Sequence, residues 1–205
     1  MPEHSGTHID ALAHQAENMI LHGGVHVDSG VQTSAGFRVH GVDTLAPLVC
    51  RGVLLDVAGD HGVPPDHPIS RQELEQAATE GGVEVRAGDV VLVRTGYGAL
   101  WSDSSQYLHA AGVSAAGSRW LIDREVRAVG ADNIAWDVIT GPPDAELGVT
   151  LPGHVLLLVR AGIPIIENLN LEELAAAGVR EFAFVCLPLK MRGATGSPVR
   201  PIALA

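Results

Sequence analysis

The sequence predicts an α/β fold: a single compact domain with a mixed sheet and short helices. Three observations carry this. Short runs rich in Val, Ile and Leu alternate with short helical patterns, as a sheet with covering helices requires. No linker, repeat or low-complexity tract interrupts the 205 residues, so residues 1–205 read as one domain, a length that supports one core. Finally, the spacing is irregular and no G-x-G-x-x-G or G-x-x-x-x-G-K-[ST] follows a strand, which sets the chain apart from doubly wound nucleotide binders.

Taken in order, residues 18–36 (including LHGGVHVDSGVQTSAG) show neither a period of two nor of 3.6 and read as a long irregular loop containing His22 and His26. GVLLDV, from Gly52, is an apolar strand closed by the turn-rich AGDHGVPPDHP. Ser70 with Glu73 three residues on is a capping box, and Leu74, Ala77 and Ala78 give the helix its inward face, with Gly81 and Gly82 ending it. VEVRAGDVVLVRTG reads as a strand pair about a Gly88-Asp89 turn, the Val-rich second half covered on both faces. Ser114 to Arg127 reads as a helix and RAVGADNIAWDVI as a strand with Asp132 and Asp137 near its ends. HVLLLVRAG is an apolar helical segment stopped at Gly162, and IPIIENL a strand ending in Glu167. LEELAAAG is a last short helix, EFAFVCLPL a nearly continuous apolar strand, and VRPIAL a final strand.

Composition narrows the function. The net charge of −11, with 13 Lys and Arg against 24 Asp and Glu and no basic run, argues against nucleic acid and anionic membrane. The expected partner is a small-molecule substrate or another subunit. No apolar run approaches the ~20 residues of a membrane span, and no secretory leader is evident. Cys50 and Cys186 lie in unrelated contexts without a C-x-x-C and read as reduced thiols of a cytoplasmic protein.

The chemistry concentrates in HSGTHIDALAH, residues 4–14. As a helix this stretch would place His4 and His8 on one face, but Gly6, Thr7 and Ile9 disfavour one. As an extended segment, the period of two puts His4, Gly6, His8 and Asp10 on one side, where two imidazoles and a carboxylate make a divalent-metal half-site. Tyr97, Trp101 and Tyr107 gather in one later loop, so in an aromatic-poor chain that loop is a candidate wall for a flat substrate, a packing element or a subunit contact.

The pattern of His4, Gly6, Thr7, His8, Asp10 and His14 resembles H-x-G-T-H-x-D-x-P-x-H of the cyclase family of metal-dependent hydrolases, which includes bacterial kynurenine formamidase and isatin hydrolase. Leu12 stands where that family usually has proline. The resemblance continues through RTG at Arg94 to Gly96, GHVLLLVRAGIPIIENL around His154 and Glu167, and the ending PLKMRGATGSPVRPIAL. It implies a swivelling β/β/α-like fold and a metal site of His4, His8, Asp10, His154 and Glu167, holding one or two ions of Zn2+ or Mn2+. It also implies His14 as general acid/base and a homodimer; from the aromatic loop, Tyr97 and Trp101 are the candidate substrate contacts. Hydrolysis of a C–N amide bond in a small aromatic or cyclic amide, arylformamidase-like or isatin hydrolase-like, is the expected activity. Family members carry some tens of residues before the motif, so the domain reads as lacking the usual N-terminal segment. The alternative is a metal-containing binding or structural domain without turnover.

Overall fold

The computed structural model describes residues 3–205. Eight strands form one sheet: β1 (His8–Asp10), β2 (Leu48–Asp56), β3 (Val90–Arg94), β4 (Ala128–Ala131), β5 (Ile165–Glu167), β6 (Glu181–Cys186), β7 (Gly196–Pro198) and β8 (Ile202–Leu204). Their spatial order is β7-β1-β5-β4-β3-β2-β6-β8. The central four, β5-β4-β3-β2, run parallel, and each flank adds two antiparallel strands. The edge strands β7 and β8 are separated in sequence only by residues 199–201. Three residues span at most about 10 Å, so the sheet must curl until its edges approach each other.

Parallel neighbours need crossover connections, and helices supply them. The helix α1 (Arg71–Glu80) joins β2 to β3, and α3 (Ala115–Ile122) joins β3 to β4, the short α2 (Ser104–Tyr107) preceding it. The turn α4 (Pro152–His154) runs on as a π-helical segment, Val155–Ala161, before β5. A fifth helix, α5 (Glu172–Ala176), follows β5. The Ser70 capping box is formed in full, worth roughly 1 kcal/mol as such caps go.

Two cores flank the sheet. Val91 and Val93 of β3 face the helices with Leu74, Trp120, Leu121, Leu157 and Leu158, whereas Val90 and Leu92 face the inside of the curl with Ile9, Ile166, Phe182 and Phe184. The strand read as covered on both faces is so covered. Its expected partner, VEVR, is not a strand: Asp89 accepts from the Arg86 backbone N–H at 2.8 Å and pulls the segment into a turn. The helix read over Ser114 to Arg127 stops at Ile122, and the strand after it is Ala128–Ala131 alone. Residues 18–36 hold two-residue ladders, Ile20–Leu21 with Val25–His26 and Gln32–Thr33 with Gly36–Phe37. The cysteines, remote in sequence, meet on neighbouring strands: Cys50 pairs with Phe184 and Cys186 with Leu48. That diagonal is longer than a disulfide allows, and both are free thiols. Among the described residues no helix is long and apolar enough to cross a membrane.

Candidate metal centre

The expected extended face is right for part of the motif. β1 begins only at His8, and its side chains at His8 and Asp10 share a face. His4 does not reach the site along that strand: the chain turns at Gly6, whose φ of +65° is a left-handed value glycine adopts freely, and folds His4 back over Asp10. Gly196 leaves room for the ring, since a Cβ there would lie 2.6 Å from His4 Cε1. Glu167 arrives through sheet register, because His8 and Glu167 are direct cross-strand partners and therefore project to the same side. His154 comes from α4.

These groups converge closely. His4 Nδ1 lies 2.8 Å from Asp10 Oδ1, and His8 Nε2 lies 3.4 Å from the same oxygen and 3.3 Å from Glu167 Oε2. His154 Nε2 is 3.3 Å from Glu167 Oε1 and 3.8 Å from Asp10 Oδ2. Despite these distances, both Asp10 oxygens and Glu167 Oε1 are buried without a hydrogen bond. Nitrogen and oxygen atoms this near but out of line for N–H···O aim at shared points between them, and a divalent cation satisfies such orphaned lone pairs. His4, His8 and Asp10 form one cradle, and Asp10, His14 and His154 a second, with ligand atoms in each within 4.8 Å of one another. Asp10 belongs to both, and Glu167 reaches from His8 to His154.

Protonation follows from this crowding. Burial pulls the His8 imidazole down, but Asp10, Glu167 and the Gly6 carbonyl outweigh it and raise its pKa to about 10. Burial likewise opposes the charge on His154, and Asp137 and Glu167 overcome it, again to about 10. Asp10 is held below the usual carboxylate range, since the imidazoles around it outweigh its burial. His14 shifts the other way, down, because burial dominates.

The outer contacts fix ring orientation. His8 Nδ1 donates to the Gly6 carbonyl at 2.8 Å, leaving Nε2 for the cradle. His154 Nδ1 donates to Asp137 Oδ2 at 2.8 Å, and the same carboxylate accepts from the backbone N–H of Gly153 and of His154. Asp137, which from sequence is only an acid near a strand end, thus orients the His154 ring. At Asn168, with φ +56°, two contacts converge: Thr7 Oγ1 donates to its carbonyl, and Tyr107 Oη donates to its Oδ1 at 2.7 Å. It therefore ties the motif loop, the end of β5 and the aromatic loop together.

The aromatic loop divides. Trp101 is 55% exposed and lines a 340 Å³ cavity with Gly6, Thr7 and Asn168. Tyr97 is only 5% exposed and packs in the helix-side core, so that residue is taken up by packing and does not line this cavity. Tyr107 is buried beneath Trp101 in an edge-on contact, centroids 5.3 Å apart. Of the loop histidines, His22 Nδ1 donates to the Val159 carbonyl, and His26 is exposed, so neither joins the cluster. Arg94 of RTG ties β3 to α5 and β2 through Glu172 and Asp56, and Thr95 rests on Asp132.

A curled mixed sheet with buried His, Asp and Glu converging at one strand end defines an α/β domain with a candidate metal-binding cluster. The family model described as "Putative cyclase" matches residues 1–138, and the chain belongs to the cyclase family. Cyclase-like protein 3 of Oryza sativa subsp. japonica is 29% identical over 98% of this chain and 63% of its own length. Isatin hydrolase of Roseibium aggregatum is 26% identical over 98% of this chain and 72% of its own. Among solved structures, one described as a novel cyclase superposes with a TM-score of 0.88 at 31% identity, covering 100% of this chain and 69% of that one. An isatin hydrolase bound to the product analogue thioisatinate superposes with a TM-score of 0.76 at 25% identity, covering 100% and 73%. The chain thus spans less than two thirds of the rice relative it matches.

Proposed function

We propose that this domain is a metal-dependent hydrolase of a C–N amide bond in a small aromatic or cyclic amide, of the arylformamidase or isatin hydrolase kind. The observation that carries this reading is the orphaned, buried Asp10 and Glu167 oxygens facing four imidazoles. His4, His8, Asp10, His154 and Glu167 would hold one or two ions of Zn2+ or Mn2+, hard enough for carboxylate and suited to imidazole. When bound, such an ion supplies a Lewis acid that polarises the amide carbonyl and acidifies water.

The chain's own residues do the rest. His14 sits beside His4 and His154, ring centroids 4.3 and 5.8 Å away, and is half-buried. Its lowered pKa keeps the ring neutral near pH 7, so a ring nitrogen can take a proton from the attacking water and return it to the departing nitrogen. An amine leaves poorly unless protonated, which makes that return the step the ring must serve. Trp101 offers the exposed flat surface against which an aromatic substrate packs. The reduced thiols suit a cytoplasmic setting.

The test is a panel of aryl formamides and cyclic amides assayed with added zinc or manganese. His14→Ala should keep its metal while kcat falls by roughly 10²–10⁴, and His8→Ala should lose the metal. Metal loss in the His14 variant would instead make that residue a ligand of the second cradle. A metal-loaded parent that hydrolyses none of the panel would leave the binding-domain alternative standing.

A further inference from the structure

The tail motif KMRGATG, which the metal site does not use beyond Thr195 and Gly196, folds against the loop that ends at His40. Phe37 N–H donates to the Gly193 carbonyl at 2.9 Å. The contact is backbone on backbone: a Cβ on Gly36 would lie 2.6 Å from Gly193 O, and one on Gly193 would lie 2.8 Å from Phe37 O. Both glycines have positive φ, +106° and +75°, so the clamp depends on them. Arg38 follows Phe37 and Arg192 precedes Gly193, so the clamp brings these two arginines to one place. Both line a 680 Å³ cavity that also includes Thr33 and Thr44.

Acids outnumber bases 24 to 13 in this chain, and seven of its arginines, Arg51, Arg94 and Arg160 among them, pair with carboxylates. Neither Arg38 nor Arg192 has a carboxylate at salt-bridge distance among the described residues. One acid, Asp43, lines the cavity, but its Oδ1 accepts from the Gly193 N–H. Two guanidiniums against one carboxylate leave the cavity net positive on a strongly acidic protein, and guanidiniums match the oxygens of an oxyanion.

We infer that this cavity binds an oxyanion group, a carboxylate or a phosphate, between Arg38 and Arg192. The group has two possible sources, a free anion or the anionic tail of the substrate. A second cavity, of 320 Å³, shares Gly36, Phe37, Arg192 and Gly193 with the first and continues to Thr195, whose Oγ1 is 2.9 Å from His4 Nε2. Glu3, whose Oε1 accepts from the Thr195 backbone N–H and Oγ1, lines this second cavity beside Arg192.

Inorganic phosphate titrated calorimetrically into chelator-treated protein tests the site without a metal to bind the anion. Saturable binding to one site is expected, and Arg38→Gln with Arg192→Gln together should weaken it about 10–100-fold, the worth of a lost charge-assisted hydrogen bond or more. Thermal melts of the variant confirm that it folds. A second arm rests on the proposed hydrolase activity and compares two aryl formamides, one carrying a ring carboxylate and one not. If the substrate supplies the anion, the double variant raises KM for the carboxylate alone by a similar factor. Phosphate binding lost with both KM values unmoved assigns a free anion. If neither formamide is hydrolysed, the activity fails and the phosphate titration alone decides the site. The inference is overturned if the substitutions alter neither phosphate binding nor any carboxylate dependence of KM.

Discussion

Asp137 is not among the proposed ligands, yet its contacts position one of them. Its carboxylate is 3% exposed and accepts three donors, two of them backbone N–H groups at the start of α4 and the third His154 Nδ1. The bond fixes the tautomer that leaves His154 Nε2 bare for a cation and keeps electron density on the ring. Asp137→Asn keeps the volume and can still accept from the backbone, but it withdraws the charge. Metal affinity, measured by chelator competition, should fall about 10–100-fold with the far-ultraviolet spectrum unchanged. Unaltered affinity would reduce Asp137 to a helix cap. No sequence reading could assign it this role, since its partners lie 16 and 17 residues on and only the fold closes that loop. His8 and Asp10 were legible because a period of two is a local property of β1. His154 and Glu167 were legible as a helix start and a strand end that can share a cleft, their role as ligands only through resemblance, and Asn168 not at all, its meaning being the convergence of Thr7 and Tyr107 on it.

At the scale of elements, apolar runs were read well and their partners poorly. The run after His154 is helical as expected, but Val155–Ala161 is π-helical, a form periodicity does not signal. Its end is held by Gly162 in the left-handed region and by His22 Nδ1 on the Val159 carbonyl. Pairing also creates surfaces that composition hides. On the outward face of the sheet, Val49, Val185 and Ile202 stand in one cross-strand row, and Val49 is 69% exposed. Leu187, Leu189 and Leu204 are exposed as well, and β8 is an edge strand with all three residues exposed. An apolar face ending in an open edge is suited to a second copy, since antiparallel pairing of β8 with itself would continue the sheet about a two-fold axis. We propose this face as the interface of a homodimer. Sedimentation at micromolar concentration should show dimers for the parent and monomers for Val49→Lys with Ile202→Lys. A parent that sediments as a monomer refutes the dimer, and a variant that stays dimeric moves the interface elsewhere.

For the whole molecule, we propose that the cluster couples folding to metal and to pH. The N-terminal strand β1 lies between β5 and β7, so the ligands it carries are assembled only when the curled sheet closes around it. Without a cation, two buried carboxylates must be balanced by protons, and His8 and His154 take them, with pKa values of about 10 against 6.5 for a free imidazole. A group whose pKa is raised on folding contributes stability that is complete below its unfolded value and lost as pH climbs through the folded one. Chelated protein should therefore keep its melting temperature up to about pH 6.5 and lose it progressively towards pH 10. A bound divalent ion replaces those protons as the counter-charge, so metal-loaded protein should hold its melting temperature across the same window. Metal uptake near pH 7.5 should accordingly release protons, read as a dependence of the binding enthalpy on the ionisation enthalpy of the buffer. Parallel melting curves for chelated and loaded protein from pH 6.5 to 10, with no proton release, would show that these imidazoles are neutral in the metal-free fold and that the carboxylates are balanced in another way.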